Sequence, residues 1–288
     1  MARVLGIGIA TLDWVQVLEQ YPPIDSEIRA QQQFLWRGGN ATNSLVVLSQ
    51  LGEQCSWLGT LADDVFAELI CADLDRNQVD YSHCPRIQHA VSPASHILLC
   101  SESDSRNIVH YRDLRELEID ECISLDFSAW DWIHIEGRNV QTTLTLMSHL
   151  QQKYPDVIVS LEIEKPRQGI EQLYDYADHL LFGRQYVSSQ GFSSVRPFLE
   201  QLQASLTSPK DIVCAWGEQG AMALSIENEY FEVPALDVTV VDTRGAGDVF
   251  NAAYIHARIN GEGLQQSVEQ ACLLAGKKCA QQGLDKLV

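Results

Sequence analysis

What most restricts this chain is an alternation of period. Short apolar runs, Val4–Ile9, Cys55–Gly59, Trp130–Ile135, Val157–Ile163, His179–Phe182 and Asp211–Trp216, read as buried strands. Between and after them lie stretches with apolar residues at helical spacing: Asn40–Leu51, Asp63–Asn77, Thr142–Gln152, Gly169–Tyr176, Gly245–Ile259 and Leu264–Ala280. Strand, helix, strand in this order implies an α/β fold with a mainly parallel central sheet covered on both faces. Asn40 suits an N-cap and Gly52 a C′ residue for the first helix.

Two stretches break the alternation. Val15–Leu18 and Ile28–Trp36 flank the turn Tyr21-Pro22-Pro23, and Ser95–Cys100 and Asn107–Tyr111 flank the polar turn Ser101–Arg106. They read as antiparallel pairs set into the α/β succession. The expectation is one domain over residues 1–288, with a small β-sheet lid from about 14–37 and 94–113 over the carboxyl ends of the main strands, where open α/β sheets bind ligands. A further hairpin is expected for Ala221–Ser225 and Tyr230–Val233.

Charge narrows the partners. Thirty-nine acidic residues against 20 basic ones give a formal net charge of −19. Nucleic acid and anionic membrane both call for a basic face, so neither is expected. An anionic small molecule would have to be held by local devices: backbone N–H groups and a few placed cations. Eight cysteines with no CxxC pair read as reduced core thiols, and the histidines have no metal-ligand spacing with them. The apolar start at Val4 is interrupted by Gly6 and Gly8 and stopped by Asp13, which suits a first strand better than a signal segment. Trp130 and Trp132 would face opposite sides of one strand and pack into cores.

The strongest motif is Asp242-Thr243-Arg244-Gly245-Ala246-Gly247-Asp248 running into an apolar helix. Its glycines let backbone pass close to a ligand, and the helix start presents unpaired N–H groups: an anion hole. Asp248 sits in the first turn, where a carboxylate stays ionised and can take a hydroxyl proton; a tightly packed, capped helix start would look the same. In Arg37-Gly38-Gly39-Asn40-Ala41-Thr42-Asn43, two amides three apart share a helix face and suit vicinal hydroxyls, although a simple cap accounts for Asn40 equally. Asp13, ending the first strand, is poorly placed for a core and well placed for a ligand; Asp25 is a ligand candidate or a turn residue.

These motifs resemble the two signatures of the ribokinase (PfkB-type) sugar kinases. Residues 21–29, 132–139, 162–167 and 275–285 are further similar to the ketohexokinase subgroup, so the resemblance spans the chain. It implies a ribokinase-like three-layer sandwich and transfer of the γ-phosphoryl group of ATP to a sugar hydroxyl, D-fructose giving fructose 1-phosphate, with Mg²⁺ and, as a further candidate, K⁺. It implies Asp248 as catalytic base, with Asp13, Gly39, Asn40 and Asn43 on the sugar. Gly245, Ala246 and Gly247 would form the anion hole, Gly217, Glu218, Gln219 and Gly220 the adenine-side loop, and Arg106 a lid arginine on the phosphates. Asp25, Arg138 and Lys165 would stand around the sugar and γ-phosphate. A cytoplasmic homodimer joined through the lid is implied as well. One departure stands out: where many members carry Asn-x-x-Glu for Mg²⁺, this chain has Phe182-Gly183-Arg184-Gln185, which leaves the metal's protein contacts unassigned. The alternatives are a kinase of this family for another sugar or a nucleoside, and a sensor that kept the fold without catalysis.

Overall fold

The alternation produces the expected layers. The computed structural model describes residues 1–103 and 105–288. Its main sheet comprises β1 (Arg3–Ile7), β4 (Gln54–Leu58), β6 (Val79–Asp80), β10 (Trp132–Glu136), β11 (Ile158–Ile163), β12 (His179–Gly183), β13 (Asp211–Ala215), β14 (Ala221–Leu224) and β15 (Tyr230–Val233). The spatial order is β15-β14-β13-β12-β11-β10-β1-β4-β6. Every pair from β13 to β6 is parallel, while the hairpin β14–β15 adds an antiparallel edge.

Side chains alternate across the sheet and feed two cores. Val4, Trp132, Leu181 and Val213 pack with helices α1 (Asn40–Gln50), α2 (Val65–Arg76), α7 (Ala246–Ile259) and α8 (Leu264–Cys279). Leu5, Ile133, Leu180 and Ile212 pack on the other face with α3 (Ile119–Ile123), α4 (Val140–Lys153), α5 (Arg184–Ser189) and α6 (Val195–Ser205). Trp130 and Trp132 enter opposite cores, as their spacing predicts, and all eight cysteines are free thiols. Helix α6 escapes the sequence reading because Pro197 interrupts its pattern. Pro197 lies in the first turn, where a missing N–H costs no helical bond. Gly169–Tyr176 forms a 3₁₀ rather than an α-helix, over Ile170–Tyr176.

A second sheet stands beside the first, with order β3-β2-β8-β9: β3 (Gln32–Gly38), β2 (Thr11–Leu18), β8 (Ala94–Cys100) and β9 (Ser105–Tyr111). Both expected antiparallel pairs form, and a parallel β2–β8 seam joins them. A small parallel pair, β5 (Leu61–Ala62) with β7 (Arg86–Ile87), completes the strands. Because β2 follows the carboxyl end of β1 and β3 leads directly into α1, the second sheet is anchored at the carboxyl edge of the main one. No helix is long and apolar enough to cross a membrane among the described residues.

Candidate active site

Two helix starts meet at this edge. Helix α1 begins after Gly39 and α7 after Gly245, and the two helices pack side by side. Gly39 has φ 109°, and an added Cβ would lie 2.1 Å from the Ile9 carbonyl oxygen, so only glycine lets α1 start against that backbone. Gly39, not Asn40, caps α1; the Asn40 amide is thereby free, and its Nδ2 donates to Glu162 Oε1 (3.0 Å) and Glu164 Oε2 (3.2 Å). Gly52 occupies the C′ position with φ 96°, as expected.

One turn along α1, Asn43 donates from Nδ2 to Asp248 Oδ2 at 2.6 Å. Its Oδ1 accepts from Arg37 Nη1 at 2.7 Å, while Arg37 Nε is paired with Asp73. Ser44 Oγ donates to the Asp248 carbonyl oxygen at 3.0 Å, tying the two helix starts together. Among the described residues, the Ala246 N–H donates to the Thr243 carbonyl oxygen at 3.3 Å, which takes it out of the expected anion hole, while the N–H groups of Gly247 and Asp248 have no hydrogen-bond partner. Both residues line a cavity of about 130 Å³ with Asn40, Glu162, Glu164, Gly183, Ala215 and Asn251. An anion hole therefore opens beside a carboxylate.

The charge state of Asp248 reverses the sequence expectation. A first-turn position favours the ionised form by only about 0.3–1 kcal/mol, whereas one pKa unit is worth about 1.4 kcal/mol. Asp248 is 7 % exposed, and burial together with Glu164 and Glu136 pushes its pKa up from 3.8 to about 7 against the opposing Asn43 hydrogen bond. Desolvation and like charge outweigh the helix start. Glu162 is raised well above the usual range by burial and then by the negative charges of Asp248, Glu136 and Glu164.

The remaining nominated residues fall into three groups. Asp13 does not end the first strand, which stops at Ile7, but lies within β2: its Oδ1 accepts from Thr11 Oγ1 at 3.0 Å, and its Oδ2 would lie 2.5 Å from a Cβ placed on Gly38. Gly217–Gln219 form an exposed 3₁₀ turn leaving β13, followed by Gly220; the Arg184 guanidinium stacks 5.4 Å over Trp216 at its base. Arg138 and Lys165 stand next to the cleft but are engaged by acids, Arg138 with Glu136 (3.2 Å) and Glu116 (3.1 Å), Lys165 with Glu164 (3.6 Å). Asp25 and Arg106 are not brought in: Asp25 lies exposed with φ 59° between β2 and β3, and Arg106 is exposed on β9 opposite Leu99.

Sequence reasoning passed over Glu136, Glu162, Glu164 and His110. The signal for the first two was present: an acid ending an apolar strand, the same argument that singled out Asp13. His110 carried none. It becomes visible only in register, since Trp36, Asp13, Ser95 and His110 are successive cross-strand neighbours on one face of the second sheet. Ser95 Oγ lies 3.2 Å from His110 Nδ1.

This geometry agrees with the comparisons. The pfkB family carbohydrate kinase model matches residues 1–287. The chain belongs to that family. Mouse ketohexokinase is 34% identical over 294 residues, covering 99% of each chain. Ribokinase of Bacillus subtilis is 23% identical, covering 94% of this chain and 90% of its own. Among solved structures, Arabidopsis thaliana ribokinase complexed with ribose and ATP superposes with TM-score 0.81 at 17% identity, covering 98% of this chain and 94% of that one. Cryptococcus neoformans ribokinase in complex with ADP gives 0.78 at 16%, covering 100% and 97%. The pfkB assignment fits a site whose fixed parts are unpartnered helix-start N–H groups, a buried acid and two amides bonded to acids.

Metal fits only loosely. Among the described residues no group of three or more His, Cys, Asp or Glu side chains is arranged to hold an ion. Glu164, 44% exposed and lining the cavity with Asp248, is placed to meet an ion that keeps most of its waters, the binding Mg²⁺ favours when it enters on phosphates.

Proposed function

We propose that this kinase transfers the γ-phosphoryl group of ATP to the primary hydroxyl of a ketohexose, D-fructose giving fructose 1-phosphate, with Asp248 as the base. The observation carrying the chemistry is Asp248 with the two unpartnered N–H groups of Gly247 and Asp248, at the mouth of one cavity. The choice of ketose rests on the 34% identity with mouse ketohexokinase across the whole chain; the motifs alone also fit another sugar.

In this reading Asp13 and Asn43 hold acceptor hydroxyls and Asn40, fixed by Glu162 and Glu164, borders the reacting centre. The phosphoryl oxygens lie on the helix N-terminus, which supplies charge stabilisation where phosphoryl transfer needs it. Mg²⁺ would neutralise phosphate charge from the Glu164 side. Asp248 must shed its proton before it can accept one from the sugar, and the raised pKa places that event near neutrality. The second sheet acts as a lid that closes over the sugar and excludes water. Its outer strand then packs against a second copy.

A panel of ketoses, aldoses and nucleosides with ATP and Mg²⁺, read by ADP release, tests the assignment. Fructose turnover should exceed that of every other acceptor, and ATP hydrolysis without acceptor should be slow. Turnover confined to ribose or a nucleoside would replace the acceptor; ATPase at full rate without sugar would remove the lid from the mechanism.

A further inference from the structure

The phosphate loop of this acidic protein contains a cation that the reading above leaves unused. Arg244 precedes Gly245, the cap of α7, by one residue. Its Nε and backbone N–H both donate to Asp242 Oδ1, at 2.8 and 3.0 Å. Its guanidinium carbon lies 4.4 Å from the centroid of Trp36, so the plane of the fork is supported by an aromatic face. Trp36 is the cross-strand neighbour of Asp13, so Arg244, one residue before the cap of α7, also lies against the face of the second sheet that carries Asp13.

What Asp242 does with its other oxygen matters. Lys278 is fully buried, and its Nζ donates to Asp242 Oδ2 (2.9 Å) and the Asp242 carbonyl oxygen (2.8 Å), with the Gln281 carbonyl oxygen at 3.4 Å. The Gly283 N–H adds a bond to Asp242 Oδ2 at 3.3 Å. A buried lysine is rare unless paired, and here the pairing is complete. One carboxylate thus carries two cations. Lys278 neutralises Asp242, so Arg244 is aligned by the carboxylate without being consumed by it. Among the described residues the two Nη groups of Arg244 have no hydrogen-bond partner, and the side chain keeps 18% of its surface open. Two parallel N–H donors on a rigid plane match two oxygens of a phosphoryl group.

We propose that Arg244 is a phosphate-binding residue: its Nη fork engages the phosphoryl group in transfer, and Asp242, Lys278 and Trp36 position it for that contact. This rests on the kinase reading of the anion hole but not on which sugar accepts. The Arg244 charge acts on the phosphoryl group from the lid side, opposite the backbone N–H groups of Gly247 and Asp248. Trp36 makes the contact dependent on where the lid stands.

The test uses Arg244→Leu and Arg244→Lys, with calorimetric affinities for a non-hydrolysable ATP analogue, ADP, free fructose and fructose 1-phosphate, alongside kcat and KM. Wild-type binding of ADP comes first, since its absence would overturn the kinase reading and, with it, the phosphate role of Arg244. Arg244→Leu should weaken the ATP analogue or the sugar phosphate at least about tenfold, while ADP and free fructose stay within about threefold. Loss on the analogue alone places the fork on the donor's γ-phosphate; loss on the sugar phosphate alone places it on the product. Arg244→Lys should recover charge but not the fork, and fall between. Should Arg244→Leu fail to fold, Trp36→Leu removes the support alone and should shift the same ligands in the same order by a smaller factor. Equal losses on all four ligands, or none above threefold, overturn the proposal.

Discussion

The first turn of α7 and the outer strand β9 are built in opposite ways. From Asp248 to Ile255 every residue of α7 is buried, and the Asp248 side chain is fixed by Asn43, which is fixed in turn by Arg37. Strand β9 is exposed at all seven positions, with Ile108 and Val109 52% and 67% open to solvent and no strand beyond it among the described residues. The Asp248 carboxyl is held by the protein's own contacts. The surface that would cover it is left unfinished, and an open strand edge bearing apolar residues is a surface that a partner or a ligand must complete. Burial fixes geometry at the cost of a raised Asp248 pKa.

The strongest way to break this comparison is Asp248→Asn. Loss of a general base costs about 10²–10⁴ in rate, so kcat should fall by at least about 10² with nucleotide affinity nearly unchanged, because the backbone hole remains. The same variant probes the cost of burial. A carboxyl whose folded pKa is raised favours the native state at low pH, and that favour is lost as pH rises from its unfolded value of about 3.8 through about 7. Asp248→Asn should therefore melt at a higher temperature than the wild type at pH 8, with the gap narrowing as pH falls and closing only near pH 4. A folded variant that keeps kcat within about tenfold removes Asp248 as the base.

A smaller effect should come from Asn43→Leu. It deletes the hydrogen bond that favours the carboxylate, so the acid limb of kcat/KM should move to higher pH, and a lost hydrogen bond to a charged group of about 1.5–3 kcal/mol implies roughly 10- to 150-fold in kcat/KM. An unmoved acid limb would detach Asn43 from the titration of Asp248. The smallest effect on folding belongs to the other region. Ile108→Asp with Val109→Asp should change stability by no more than about 0.5 kcal/mol, as surface substitutions do, yet convert a dimer to a monomer by light scattering. A wild-type protein that is already monomeric at micromolar concentration would break the comparison from that side.

Legibility followed the same division. The anion hole, Asp248 and the paired amides were readable because backbone chemistry concentrates them in short contiguous stretches around glycines. The acids that perturb them were not: Glu136 and Glu162 lie on two different strands paired in parallel register, Glu164 follows the second of them, and only the fold brings them to Asp248. The ionised Asp248 expected from a helix start gave way to a raised pKa because desolvation is a property of the packed site, absent from any local motif.

Sequence by itself determined the layers and the two helix starts with the residues they carry, since period and glycine placement act over a few residues. Tertiary structure alone decided their charge states and partners. It set Lys278 against Asp242 across 36 residues of chain and Arg244 against Trp36 across the cleft. Electrostatic energy depends on distance through space and on the water excluded there, and neither is written along the chain.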